Sequence, residues 1–113
     1  MPHCIIEFSE PLTSRLAPAE LLQKVHEGAL KSALFQAADI KTRAQSYEHF
    51  FSESEQVDFI HVTIRIMAGR TDEQKQHLSA SVLNALSDLG LTELSITVEV
   101  VDLHNSSYAK HLA

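Results

Sequence analysis

The feature that most restricts this chain is a strand-helix-strand pattern that occurs twice. From Pro2 to Phe8, Cys4, Ile6 and Phe8 alternate with His3, Ile5 and Glu7, the period of two expected of a strand with one face turned to a core. A helix follows from Pro18, because a residue without an N–H suits the first helical position. Leu21, Leu22, Val25, Ala29 and Ala33 recur on one of its sides. Asp39 to Tyr47 reads as a second strand. The polar, acidic stretch from Phe51 to Gln56 then breaks the pattern and separates the halves.

The second half repeats the scheme. Ile60, Val62, Ile64 and Ile66 alternate along a third strand that ends at the turn Ala68-Gly69-Arg70. Thr71 can cap the next helix while Gln74, three residues on, reaches back to the cap, and Asp72 and Glu73 favour the positive end of the helix dipole. Leu78, Val82, Ala85, Leu86 and Leu89 supply the apolar stripe, and Gly90 is placed to end the helix in a left-handed conformation. In a fourth strand Ile96, Val98 and Val100 alternate with Thr97, Glu99 and Val101. The tail from His104 to Ala113 turns polar.

Each crossover should return its second strand parallel to the first. The expected class is therefore α/β (α+β): two β-α-β units forming one four-stranded sheet, with both helices on one face if a pseudo-twofold axis relates the halves. The opposite face is expected to be apolar and bare, and so to need a partner. With 113 residues, the chain fits a single domain over residues 1–113 that buries about two thirds of its unfolded surface.

A net charge of -6 argues against nucleic-acid binding, which calls for clustered Lys and Arg on one face. No apolar run approaches the roughly 20 residues of a membrane helix, and the N-terminus lacks a secretory pattern, so no membrane role and a cytoplasmic location are expected. Cys4 is the only cysteine and lies within an apolar strand, which makes it a core residue. The histidines at 3, 26, 49, 61, 77, 104 and 111 include no pair at close metal-ligand spacing, so no metal site is expected and most of them read as surface or structural residues.

Three places carry candidate chemistry. Pro2 follows the initiator methionine directly, and removal of Met1 would leave a secondary amine at the start of a buried strand. Burial and nearby cations would lower its pKa from the α-amino range toward neutrality, where it can both take and give a proton. Arg70 ends the third strand where the next helix begins, a position that favours anions, and its guanidinium can grip a carboxylate through two hydrogen bonds. Lys41 and Arg43 are two apart on a strand, so both point to one side of the sheet and suit a dianion. Phe50 and Phe51 could wall an apolar pocket, although core packing is their expected role.

Together, the start Met1-Pro2-His3, the Ile40-Lys41-Thr42-Arg43 strand and the Ala68-Gly69-Arg70-Thr71 turn resemble the 5-carboxymethyl-2-hydroxymuconate isomerase family of the tautomerase superfamily, over nearly the whole chain. The run from Gly69 to Lys75 also resembles the strand-to-helix turn of the short 4-oxalocrotonate tautomerases. The resemblance implies a homotrimer and a cofactor-free keto-enol isomerisation of an unsaturated 2-hydroxy or 2-oxo acid with two or three carboxylates. The substrate it suggests is 5-carboxymethyl-2-hydroxymuconate, an intermediate of aromatic catabolism. It further implies Pro2 as general base and acid, with Arg70, Lys41 and Arg43 binding substrate. Lys41 stands where the family pattern has arginine; it keeps the charge but lacks the planar two-point grip. Two alternatives follow: a superfamily enzyme acting on a different small acid, or a non-enzymatic protein that binds small acids on the same scaffold.

Overall fold

The computed structural model describes residues 1–113. The elements in chain order are β1 (His3–Ser9), α1 (Pro18–Lys31), β2 (Lys41–Tyr47), β3 (Asp58–Met67), α2 (Asp72–Ser87) and β4 (Leu94–Leu103), with short 3-10 turns at Glu10–Ser14, Ala37–Asp39 and Asn105–Ser107. The sheet order is β2-β1-β3-β4. Each β-α-β unit contributes one parallel pair, β1 with β2 and β3 with β4, and the antiparallel pairing of β1 with β3 joins the units at the centre. No helix is long and apolar enough to cross a membrane.

The alternation read in the sequence sorts the side chains as expected on the helix-covered face. Cys4, Ile6 and Phe8 of β1 and Ile60, Val62, Ile64 and Ile66 of β3 are buried there against Leu21, Val25 and Ala29 of α1 and Leu78, Val82 and Leu86 of α2. The start of α2 forms as its residues suggest: the Gln74 N–H donates to Thr71 Oγ1 at 3.1 Å, and the Thr71 N–H donates to Gln74 Oε1 at 2.9 Å. Gly90 adopts φ 70°, the left-handed value anticipated for it.

The structure corrects several expectations. Ala33 is not on the buried side of α1. It lies beyond the helix end, exposed, with φ 63°, where it reverses the chain. The second strand begins at Lys41 rather than Asp39, because Ala37–Asp39 close a 3-10 turn in which the Ile40 N–H donates to the Ala37 carbonyl. Phe50 packs edge-on against Phe59 with ring centroids 5.6 Å apart, but Phe51 is 76% exposed and takes no part in the core.

The uncovered face of the sheet departs most from expectation, for it is not apolar. Its registered rows run Lys41, His3, Arg65, Val101 and then Arg43, Ile5, Thr63, Glu99, followed by Gln45, Glu7, His61, Thr97. Period-two alternation concentrates the branched apolar residues on one side, and the intervening positions of all the strands are mostly polar. These side chains satisfy one another across strands. The Tyr47 hydroxyl donates to the Glu7 carboxylate, and the His61 ring nitrogens lie 2.6 Å from Thr97 Oγ1 and 2.6 Å from Glu99 Oε2.

The two helices pack backbone against backbone at Gly28. A β-carbon there would stand 2.7 Å from Val82 Cα and 3.0 Å from the Ser81 carbonyl oxygen, both backbone atoms, while Ser81 Oγ donates to the Gly28 carbonyl at 2.7 Å. Replacing Gly28 with alanine should therefore destabilise the protein by about 1–3 kcal/mol through overpacking, despite alanine's better helix propensity. Urea unfolding at neutral pH measures this directly; an unchanged midpoint would mean that the helices can separate at little cost.

Candidate active site

Sheet topology brings the sequence-derived candidates to one end of the molecule. β1 and β2 run parallel and β3 runs against them, so the start of β1, the start of β2 and the end of β3 share that end. The Lys41 N–H donates to the Pro2 carbonyl at 3.0 Å, which ties the first residues of the chain to the first residue of β2. Pro2 itself is fully buried, on the core side of the β1 alternation, and Met1 is half-buried beside it.

Lys41 and Arg43 occupy the first two outward positions of β2, opposite His3 and Ile5 of β1. Arg43 Nη1 lies 3.3 Å from His3 Nδ1. Arg70 stands in the turn after β3, where Gly69 adopts φ 127°, a backbone conformation in which a side chain would be strained. The Arg70 guanidinium donates to the Leu34 carbonyl at 2.9 Å and lies 5.8 Å from the centroid of the Phe35 ring. It is thus held by the connection that leads from α1 into β2. The turn is braced from the other side by Asn105, which accepts from the Ala68 N–H at 2.8 Å and donates to the Ala68 carbonyl at 3.1 Å.

The ion pairs of the chain join Arg15 to Asp58, Lys24 to Glu27, and Lys75 to both Asp72 and Asp102, and His61 hydrogen-bonds the Glu99 carboxylate. None uses Lys41, Arg43, Arg65 or Arg70. In a chain of net charge -6, four cations without carboxylate partners at one end of the sheet make a local positive field suited to an acid with more than one carboxylate.

Two residues of this end escaped the sequence reading. His3 was grouped with surface and structural histidines, yet it lies between Arg43 and the C-terminal segment, its Nε2 2.9 Å from the Tyr108 hydroxyl and its ring edge-on to the tyrosine. Its position on the outward face of β1 was available from the alternation. Tyr108 lies in a polar tail without periodicity, and nothing in the sequence pointed to it. Burial, then Arg43, Lys41, the N-terminal ammonium and Arg65, hold the His3 pKa below its usual 6.5, so the ring is mainly neutral at pH 7. Cys4 is a core residue, and burial pushes its thiol up to about 11, away from the range of a reactive thiolate.

The larger hollows of the chain lie elsewhere. One of about 400 Å³ is lined by Glu55, Gln56, Val57, Asp58 and Glu93, one of about 340 Å³ by Lys31, His77, Ser81 and Asn84 of the helices, and one of about 320 Å³ by Phe50, Phe51, Val57, Phe59 and neighbouring polar residues. The first and last sit at the beginning of β3, opposite the end that carries Pro2. Near the candidate residues there is only a cleft of about 130 Å³ along Ile5, Arg43 and Gln45. The positive end is consequently open on a single chain, and the physical case for it rests on unpaired charge rather than enclosure.

The sequence model of the 5-carboxymethyl-2-hydroxymuconate isomerase family matches residues 2–111. Among solved structures, a 5-carboxymethyl-2-hydroxymuconate isomerase from Deinococcus radiodurans R1 is similar with 24% identity and a TM-score of 0.82, over 97% of this chain and 88% of that one. A 5-carboxymethyl-2-hydroxymuconate delta-isomerase has 16% identity and a TM-score of 0.77, over 100% of this chain and 89% of that one. A fused 4-OT described as a symmetric trimer has 19% identity and a TM-score of 0.70, over 89% and 85% respectively. At these identities the structures establish the fold. No curated protein matches the chain.

Because the folded His3 pKa is lowered, the unfolded chain binds the proton more readily, and stability should fall as pH drops below about 6.5 toward the folded value. Comparing unfolding free energies of the wild type and His3→Gln between pH 8 and pH 5 isolates this contribution. The wild type should lose stability relative to the variant on acidification, and parallel curves would show that His3 titrates as it does in the unfolded chain.

Proposed function

The chain belongs to the 5-carboxymethyl-2-hydroxymuconate isomerase family, and from that membership and the unpaired cations beside Pro2 we propose that it is a cofactor-free tautomerase using Pro2 as its proton carrier. Its family and fold are those of isomerases of the tautomerase type. The proposed substrate is 5-carboxymethyl-2-hydroxymuconate, converted in the cytoplasm to its 2-oxo isomer during aromatic catabolism. What supports the proposal is that sheet topology sets a buried Pro2, bound through its carbonyl to Lys41, at the same end as Lys41, Arg43 and Arg70, none of which has a carboxylate partner.

Removal of Met1 turns the Pro2 nitrogen from an amide into a secondary amine. An α-amino group starts near 7.7–8.0 and proline is more basic; burial and the surrounding cations disfavour the ammonium form and lower that value toward neutral pH. Such an amine, neutral before the reaction, takes the proton of the 2-hydroxyl and returns it to a distal carbon of the conjugated acid, which leaves the amine neutral again. The double bonds shift by one position along the chain and the number of protons is unchanged. Arg70, Lys41 and Arg43 hold the carboxylates and the oxygen at carbon 2, where negative charge develops as the dienolate forms.

We further propose a homotrimer, supported by the trimeric description of the fused 4-OT structures that this chain resembles. Other copies would cover the polar sheet face through hydrogen bonds and charge rather than through an apolar seam.

A second reading is favoured by one particular observation: Lys41 is a less directional anion clamp than arginine. On this reading the protein binds a small dicarboxylate, or transforms a different acid.

The decisive experiment follows ketonisation of 5-carboxymethyl-2-hydroxymuconate by ultraviolet absorbance, using protein whose mass shows Met1 removed. Pro2→Ala should lower kcat by about 10²–10⁴-fold, the range for loss of a general acid-base group. Wild-type activity in that variant would eliminate Pro2 as the base, and saturable dicarboxylate binding without turnover by processed protein would establish the second reading. Arg70→Ala should weaken substrate capture by about 10–100-fold, with Arg70→Lys restoring only part of it.

A further inference from the structure

The C-terminal segment brings one hydroxyl to the start of β1. Tyr108 follows the Asn105–Ser107 turn, and Asn105 anchors that turn to Ala68 through two hydrogen bonds. The Tyr108 ring packs edge-on against His3 with centroids 6.0 Å apart, and its hydroxyl contacts both His3 Nε2, at 2.9 Å, and Met1 Sδ. Residues 1 and 3 flank Pro2, so this hydroxyl spans the residue proposed to carry the proton.

The direction of its hydrogen bonds can be deduced from donor chemistry. A guanidinium has N–H groups only, so Arg43 Nη1 donates and His3 Nδ1 accepts. A neutral imidazole that accepts at Nδ1 carries its proton on Nε2 and donates from there to Tyr108 Oη. The tyrosine proton is then directed onward to Met1 Sδ, a weak acceptor. The chain of donation therefore runs from Arg43 through His3 and Tyr108 to the side chain of Met1. The contact with His3 involves no atom of Met1.

We propose that, once Met1 is removed, the Tyr108 hydroxyl binds substrate beside Pro2 by donating a hydrogen bond to the oxygen on carbon 2 of a 2-oxo or 2-hydroxy acid. The inference rests on the reading of Pro2 as a free amine. An enolate or ketone oxygen takes the place of the thioether as the acceptor, and a charged oxygen is much the stronger of the two. His3 is a positioning residue that acts through Tyr108, and Arg43, one of the cations proposed to hold the carboxylates, also orients His3 and strengthens the donor at the end of the chain. Tyr108 would thus recognise the functional group that is transformed, whereas Lys41 and Arg70 recognise carboxylates wherever these occur.

The experiment uses processed protein and two probes that differ only at carbon 2, adipate and 2-oxoadipate. Calorimetric titration of the wild type should show 2-oxoadipate binding about 3–10-fold more tightly than adipate, the net worth of one hydrogen bond to a neutral carbonyl oxygen. Tyr108→Phe, which keeps the ring against His3, should bring the two affinities within about 2-fold of each other while leaving that for adipate unchanged. It should also reduce kcat on 5-carboxymethyl-2-hydroxymuconate by about 10–100-fold with little change in KM. The proposal is overturned if the wild type shows no preference, if Tyr108→Phe retains it, or if both affinities fall together, which would mark a structural role. A binding preference that vanishes in Tyr108→Phe, in a protein without turnover, would refute Pro2 catalysis while upholding the role of Tyr108.

Discussion

The antiparallel pairing of β1 with β3 is the contact on which the rest of the molecule depends. Each β-α-β unit could bury one side of its own strands, but two strands and a helix make too small a core to stand alone. Joining the units along β1 and β3 makes one continuous core and sets His3 opposite Arg65 and Phe8 opposite Ile60. The same register places the end of β3, with Arg70 just beyond it, beside the start of β1. The candidate site is therefore a product of how the two halves meet, and neither half contains it.

Much of the fold was legible because its signals are local and repeated. The apolar alternation in β1 and β3 and the capping box at Thr71 each state their structure within a few residues. The errors fell where local pattern has little force. Ala33 continues the apolar spacing of α1, but the helix has already ended at Lys31, and the residue turns the chain instead. The uncovered face is expected to be apolar once both helices are placed on one side, yet the intervening residues Lys41, Arg43, Glu7, His61 and Glu99 make it polar. Assigning a strand fixes both its faces, and the residues between the apolar ones decide the character of the second.

For the candidate site, Pro2, Lys41, Arg43 and Arg70 were readable as residue types suited to an acid, and register then brings them to a common end. The part played by Tyr108 was not readable. Its contact with His3 spans 105 positions of sequence and depends on where a short turn after β4 returns the chain. Tails of this kind have no periodicity, so their partners are set by the fold they land on.

The polarity of the uncovered sheet face also bears on the life of a chain that has not yet met a partner. A broad apolar face would make each newly made copy adhesive, and the exposed backbone edges of β2 and β4 would offer further places for misdirected strand pairing. Here that face is occupied by side chains that already bond across strands, and the β2 edge bears Lys41 and Arg43. A solitary copy can wait in water with its open face hydrated, and association can then select for matching charge and hydrogen-bond geometry instead of rewarding the first greasy surface encountered.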